Sequence, residues 1–342
     1  MKKYLSISVL VLSVFFSSAY ATSIVDPASI GVGARPIGMG RAYTGLADDA
    51  SAVFLNPAGL SSLKGFNFVS MKATLINDIN YTVLGGAVPT KLGCVGVGYV
   101  NSSVSGIPLT RWTDVSGVAR PDTYGYTDYG ANVFLVSYGA QLDRLFDNAK
   151  LKNISLGASL KYYSQNFSEN AASLEGAGGS GLDIDLGVKF RTARWMDMGL
   201  YVSNILPMDL GGKFTWKKNN ISENIPAVLK IGTAVKVIGP DAIRTVGSSE
   251  LVCLLDLEKN IDSSSDLLLI HSGLEWKPVK YLALRIGLDQ QQSAQNSGIA
   301  AETNLTYGVG IIFAQFAFDY AYHRYGDLAE NTTHYFSIKY AM

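Results

Sequence analysis

From residue 66 onward the chain breaks into short segments in which apolar and polar side chains alternate one by one. Successive side chains of a strand point to opposite faces, so strict alternation describes a strand with one apolar and one hydrated side. Residues 181–191 show it most plainly. Leu182, Ile184, Leu186, Val188 and Phe190 fall on one face, and Asp183, Asp185, Lys189 and Arg191 on the other. Fourteen segments qualify: 66–76, 80–89, 92–102, 127–142, 151–165, 181–191, 195–203, 228–238, 249–259, 266–277, 280–289, 303–313, 316–323 and 333–341. Most have about 9–11 residues, the length of a tilted strand that crosses a bilayer. The first three are the least regular, because Gly and Ala blur their alternation.

The connections carry an independent signal. Taken alternately, one set (77–79, 103–126, 166–180, 204–227, 260–265, 290–302, 324–332) is mostly long. The other (90–91, 143–150, 192–194, 239–248, 278–279, 314–315) is mostly short. Outer-membrane barrels show this asymmetry, with short periplasmic turns and longer external loops. A soluble sandwich also alternates, but these apolar faces carry almost no charge. Charged residues are only 16% of the chain, against roughly 25% in ordinary soluble domains. The pattern therefore predicts an all-β fold, a transmembrane antiparallel β-barrel with fourteen strands and both ends on the short-turn side. Tyr99, Tyr162, Tyr163, Trp195, Trp276, Tyr281 and Tyr340 are expected in interfacial girdles.

The N-terminus reads as a secretory signal. Lys2 and Lys3 precede an apolar run from Leu5 to Phe16, and Ala19-Tyr20-Ala21 is a small-x-small cleavage site. The expected organisation is a signal peptide at 1–21, a hatch (plug) segment at 22–65 and a barrel at 66–342, placed in the bacterial outer membrane. The hatch is assigned because residues 31–60 lack the alternation and are rich in Gly, Ala and Asp. Gly31, Gly33, Gly38, Gly40 and Gly45 suit tight turns. Asp48, Asp49 and Ser51 suit helix caps or ties to backbone amides, and Asn56-Pro57 marks a turn before the first strand. Arg35 and Arg41 are expected to pair with Asp183, Asp185 or Asp319 of the lumen.

Little points to catalysis. The run GVGARPIGMG resembles a dinucleotide loop, but Gly-x-Gly-x-x-Gly requires glycine where Pro36 stands. Asp183 and Asp185 are explained by alternation as lumen residues rather than a metal pair. His271, His323 and His334 are scattered, and no nucleophile motif accompanies them. Basic and acidic residues balance at 28 each, which gives no reason to expect nucleic acid. The reading is of a protein that is not an enzyme and needs no cofactor or metal. Cys94 and Cys253 are either a pair or separate packing residues.

The lumen-facing polar set includes Asp183, Asp185, Lys189, Lys230, Lys236, Asp256, Arg285, Asp289, Asp319 and Lys339. Segment 103–126, with Trp112 and Tyr124, and segment 204–227, with Met208, Phe214 and Trp216, are apolar for external loops. They suit either capture of a greasy ligand or protein docking, or else they fold together over the barrel mouth.

Residues 33–60, GARPIGMGRAYTGLADDASAVFLNPAGL, resemble the N-terminal signature of the PorV/PorQ family within the broader FadL-like outer-membrane proteins. FAFDYAY at 316–322, GDL at 326–328, HYFSIKY at 334–340, and GLEW at 273–276 before LRIGL at 284–288 are similar too. The resemblance implies a fourteen-stranded barrel with a hatch in its lumen. It also implies passage of hydrophobic molecules of the long-chain fatty acid type, or a PorV-like role in type IX protein secretion. The implied partners are outer-membrane lipids with a hydrophobic ligand, or secreted and secretion-machinery proteins. The chain departs from the usual aromatic end of such barrels by finishing Ala341-Met342.

Overall fold

The structure, a computed structural model, describes residues 26–75, 78–115, 118–168, 174–262, 267–295, 298–324 and 332–342. The leader expected at 1–21 and the GDL motif at 326–328 lie outside the described residues.

Sixteen strands form one antiparallel sheet. They are β1 (Asn67–Leu75), β2 (Ile79–Pro89), β3 (Cys94–Val115), β4 (Val118–Gln141), β5 (Ile154–Phe167), β6 (Gly179–Ala193), β7 (Met196–Ser203), β8 (Lys213–Trp216), β9 (Ser222–Glu223), β10 (Val228–Ile238), β11 (Glu250–Asn260), β12 (Leu268–Val279), β13 (Leu282–Gln295), β14 (Gly298–Phe313), β15 (Phe316–Arg324) and β16 (Thr332–Ala341). Each barrel strand pairs with its sequence neighbour, and β1 pairs with β16, so fourteen strands close into a ring. The pair Asn67–Ala341 sets both chain ends of the barrel at the same rim. Closure satisfies every ladder hydrogen bond without an exposed edge. All fourteen predicted segments are strands.

The remaining two strands form a small hairpin. β8 pairs with residues 179–181 of β6, and β9 pairs with β8. The segment 204–227, expected as a loop, thus folds onto the wall.

Segment 103–126 is not a loop either. β3 and β4 continue through it as one hairpin, paired from Cys94–Gly139 out to Val115–Val118. Gly106, at φ +72°, takes up a register shift between Val104 and Ile107. Segment 290–302 likewise becomes strand, paired from Gln290–Thr303 to Gln295–Gly298. In both places the ladder continues beyond the stretch of regular alternation, so counting apolar alternation cut the strands short.

The outer surface is apolar. Leu160, Leu186, Val136, Ile286, Phe318 and Phe336 are among many large hydrophobics exposed on it. Tyr162, Trp195, Trp276 and Tyr281 also face outward. Tyr163 does not: it is 1% exposed and points inward. Tyr162 and Tyr163 are adjacent on one strand and cannot share a face. Cys94 and Cys253 are both free.

Candidate functional site

The lumen is occupied by the chain's own N-terminal segment. Residues 31–46 are buried almost without interruption, as are most of 50–61, although they contain only short helical turns such as Ala34–Gly38, Ala52–Leu55 and Pro57–Ser62. Gly31, Gly33 and Gly40 have positive φ, as the turn reading expects. Gly38 and Gly45 do not; they lie against wall backbone instead. A Cβ on Gly38 would sit 3.0 Å from the Gly308 Cα, and one on Gly45 2.9 Å from Thr233. Asn56 accepts from the Ala58 amide and caps the turn that opens with Pro57. Asp49 accepts from the Ser51 amide.

Charge holds this segment to one side of the wall. Arg35 donates in fork geometry to Glu275, with Nε–Oε2 and Nη2–Oε1 both 2.8 Å. Its Nη1 also reaches Asp48 at 2.7 Å and Asp49 at 3.1 Å. Glu275 accepts from Arg285 Nε at 2.7 Å, and Arg285 Nη1 reaches Asp319 at 2.7 Å. Lys339 closes the circuit, 2.9 Å from Asp319 and 3.2 Å from Asp49. Burial acts against the Arg35 charge, but Asp48 and Glu275 outweigh it and raise its pKa well above the ordinary value. Burial also acts against the Asp49 carboxylate, but Lys339 and Arg35 overcome it and hold its pKa below the usual range. Asp48 is lowered in the same way, mainly by Arg35.

A second cluster surrounds Arg41. Its Nε lies 2.9 Å from Asp289, and Asp289 is flanked by His271 and His323, each at 2.7 Å. His271 also approaches Glu258 at 3.2 Å, and Glu258 pairs with Lys230 at 2.6 Å. Asp256 accepts from the amides of Tyr43 and Thr44, at 2.9 and 2.8 Å. Lys189 donates to the carbonyl of Leu46. Higher up, Asp26 lies 3.3 Å from Lys161 and accepts from Tyr163 at 2.9 Å.

The predicted pairing of the two arginines is corrected here. Neither pairs with Asp183, Asp185 or Asp319. Asp183 accepts from the amides of Ile184 and Leu206, Asp185 pairs with Lys161 and accepts from Tyr201, and Asp319 is taken by Arg285 and Lys339. Alternation identifies which residues face the lumen; the height and angular position of each strand decide which of them meet. Asp183, Asp185, Lys189, Lys230, Arg285 and Asp319 do face inward, as does Lys236, 3.2 Å from Asp197. Glu275 is absent from the expected lumen set, and His271 figures there only as a scattered histidine, although His271, Gly273, Glu275 and Lys277 alternate with Ile270, Leu274 and Trp276.

The opposite wall differs. No charged side chain faces the lumen from β1, β2, residues 94–104 of β3 or residues 127–139 of β4. Their buried inner faces carry residues such as Val69, Met71, Tyr81, Val83, Val100, Val133 and Leu135. This explains why the first segments alternate poorly: both of their faces are apolar or small.

The residues assigned to external loops separate. Trp112 is 76% exposed and Tyr124 46%, on the extended β3–β4 hairpin, where Arg111 lies 5.8 Å from the Tyr124 ring. Met208 is half-buried in a short turn, Met208–Leu210. Phe214 is fully buried, edge-on to Trp216 at 5.0 Å. A cavity of about 190 Å³ lies at the short-turn rim beneath Arg35, Asp49 and Lys339.

The sequence matches the model of the uncharacterised protein family UPF0164 over residues 22–322. The chain belongs to UPF0164. No curated protein matches it. Among solved structures, this UPF0164 member is similar to the CymD monoaromatic hydrocarbon channel, with a TM-score of 0.58 at 14% identity, over 92% of this chain and 98% of that one. The Pseudomonas putida toluene transporter TodX gives 0.55 at 12% identity, over 95% and 99%. The Ralstonia pickettii toluene transporter TbuX gives 0.55 at 12%, over 91% and 98%. At these identities the likeness is one of fold alone: a closed fourteen-stranded antiparallel barrel.

Proposed function

We propose that this UPF0164 protein is a non-enzymatic channel that passes small hydrophobic molecules across the bacterial outer membrane, with residues 22–65 as its plug. One observation carries the reading. A barrel with an apolar outer surface holds its own N-terminal segment in the lumen through side-chain ion pairs, Arg35–Glu275, Arg41–Asp289 and Asp49–Lys339, rather than through strand pairing. Such contacts anchor the segment at a few points and leave the rest of it held by packing, whereas a strand added to the ring would be fixed along its whole length. The shared fold with hydrocarbon channels supports the same reading. Ligand enters at the end carrying the β3–β4 hairpin and leaves past a displaced plug.

The test is uptake of N-phenylnaphthylamine, a neutral apolar probe, by a bacterial host whose lipopolysaccharide-bearing outer membrane carries the protein. Faster uptake than in vector-only cells is expected; equal rates overturn the channel. Parallel uptake of toluene and oleate distinguishes a hydrocarbon ligand from the fatty acid type.

A second reading, a PorV-like docking component of protein secretion, draws on the β3–β4 hairpin, which exposes Trp112 and Tyr126 well beyond the apolar band. Recovery of a secreted protein in a pull-down that fails when residues 105–126 are removed is the result this reading requires.

A further inference from the structure

The two halves of the lumen wall hold the plug by different forces, and this difference bears on where a solute passes. On the β10–β16 side the segment is tied by buried ion pairs at Arg35, Arg41 and Asp49. On the β1–β4 side it makes mainly apolar contact centred on Val53 and Phe54, which are 0% and 4% exposed, with neutral hydrogen bonds from Ser137 to the Val53 carbonyl at 3.2 Å and from Tyr81 to the Pro27 carbonyl at 3.0 Å. The Phe54 ring occupies a niche that exists because two wall residues lack side chains. A Cβ on Gly85 would lie 2.7 Å from its Cε2, and one on Gly98 2.6 Å from its Cε1. Val69, the cross-strand partner of Gly85, stands beside it, 3.0 Å from such a Cβ, and Val53 fits against Gly96 in the same way as Phe54 does against Gly85 and Gly98. Above the niche the wall continues with Met71, Tyr81, Val83, Val100, Val133 and Leu135, all buried and none charged.

We infer that apolar solutes pass between the plug and the charge-free wall of β1–β4, and that the niche of Gly85, Gly98 and Val69 is a ring-sized apolar subsite occupied by Phe54 at rest. The inference rests on the channel reading. An apolar solute entering along β1–β4 replaces chiefly dispersion contacts, which are non-directional, and disturbs neutral hydrogen bonds rather than ion pairs. Passage along the other side would require buried charges to lose their partners, a far larger cost. The plug therefore stays anchored on its charged side and yields on its apolar side. The solute class is a compact, uncharged molecule about the width of a phenyl ring, because the niche already accepts one.

The experiment joins plug to wall by disulfides in a Cys94→Ser, Cys253→Ser background. Val53→Cys with Gly96→Cys crosslinks the apolar side; a Cβ at Gly96 lies 2.6 Å from the Val53 Cγ2, so the paired Cβ atoms fall in disulfide range. Ser61→Cys with Ser155→Cys, whose hydroxyls are 2.8 Å apart, ties the plug to β5 instead. Uptake of N-phenylnaphthylamine falls to the vector level in the oxidised first variant, returns with reductant, and is unchanged in the second. Undiminished uptake in the oxidised first variant overturns the route, while absence of uptake in the uncrosslinked protein overturns the channel itself. Should the first variant fail to fold, Phe54→Ala reads the same point. It speeds uptake of the neutral ring probe without admitting nitrocefin, a hydrophilic probe. Equal gains for both probes would mean general leakage and sink the subsite.

Discussion

Arg35 is the residue on which the plug depends most. Its guanidinium is, among the described residues, the one group that touches Glu275, Asp48 and Asp49 together. Replacing it with alanine leaves Glu275 buried with Arg285 and the more distant Lys277, at 4.0 Å, and removes the link from the wall to Asp48. Breaking a buried pair in this way costs about 3–5 kcal/mol. Arg35→Ala should therefore expose residues 33–60 to protease in folded protein, with a larger effect than Arg41→Ala, because Asp289 keeps His271 and His323 when Arg41 is lost. Equal protection in both variants would contradict this ranking. The same carboxylates set a pH limit. Asp48 and Asp49 have lowered pKa values in the docked segment, so they bind protons less readily docked than free. Their contribution is complete above the free carboxylate value of about 4 and is lost as pH falls through the lower docked values. Protease protection of the plug should hold from neutral pH down to about pH 4 and fail only below it.

At the scale of elements, the two regions read as loops have opposite fates. The β3–β4 hairpin extends away from the ring, and the barrel portion of these strands remains paired from Cys94–Gly139 to Val104–Tyr129 without it. Deleting residues 105–126 should leave the heat-modifiable mobility of the barrel on gels unchanged; a loss of folded species would show that the hairpin supports the ring. The 204–227 segment instead buries Phe214 against Trp216 and beside Gly179. Phe214→Ala should destabilise this cover by about 3–5 kcal/mol, read as a red shift of the Trp216 fluorescence with the barrel intact. The buried N-terminal segment was legible as a non-strand element through its missing alternation and its glycines. Its partners were not, because Arg35 and Glu275 are 240 residues apart and meet only when the ring closes.

For the whole molecule, the outer surface is the feature that lipid tests. Leu160 is 53% exposed and opposes Val136, also exposed, across the β4–β5 ladder. Leu160→Arg places a charge in hydrocarbon and should cost about 2–4 kcal/mol of folding free energy near the bilayer midplane. Trp112→Arg, on the projecting hairpin, should cost almost nothing. Urea titration of bilayer-folded protein compares the two, and equal midpoints would argue against a lipid-facing band.

The sequence by itself determined the number of strands in the ring, their order and, for most of them, which side chains face in or out. These follow from a local rule, the two-residue period of an extended chain, and a closed ring of sequence neighbours needs nothing more. It also marked the N-terminal segment as something other than strand. Tertiary structure decided the rest: which lumen carboxylate holds which arginine, that the inner wall divides into a charged and an uncharged half, that Tyr163 joins Asp26 rather than the interface, and that three apparent loops, 103–126, 204–227 and 290–302, contain paired strands. Each depends on where strands far apart in sequence stand around a common axis, and alternation along one strand contains no information about its neighbours across the lumen.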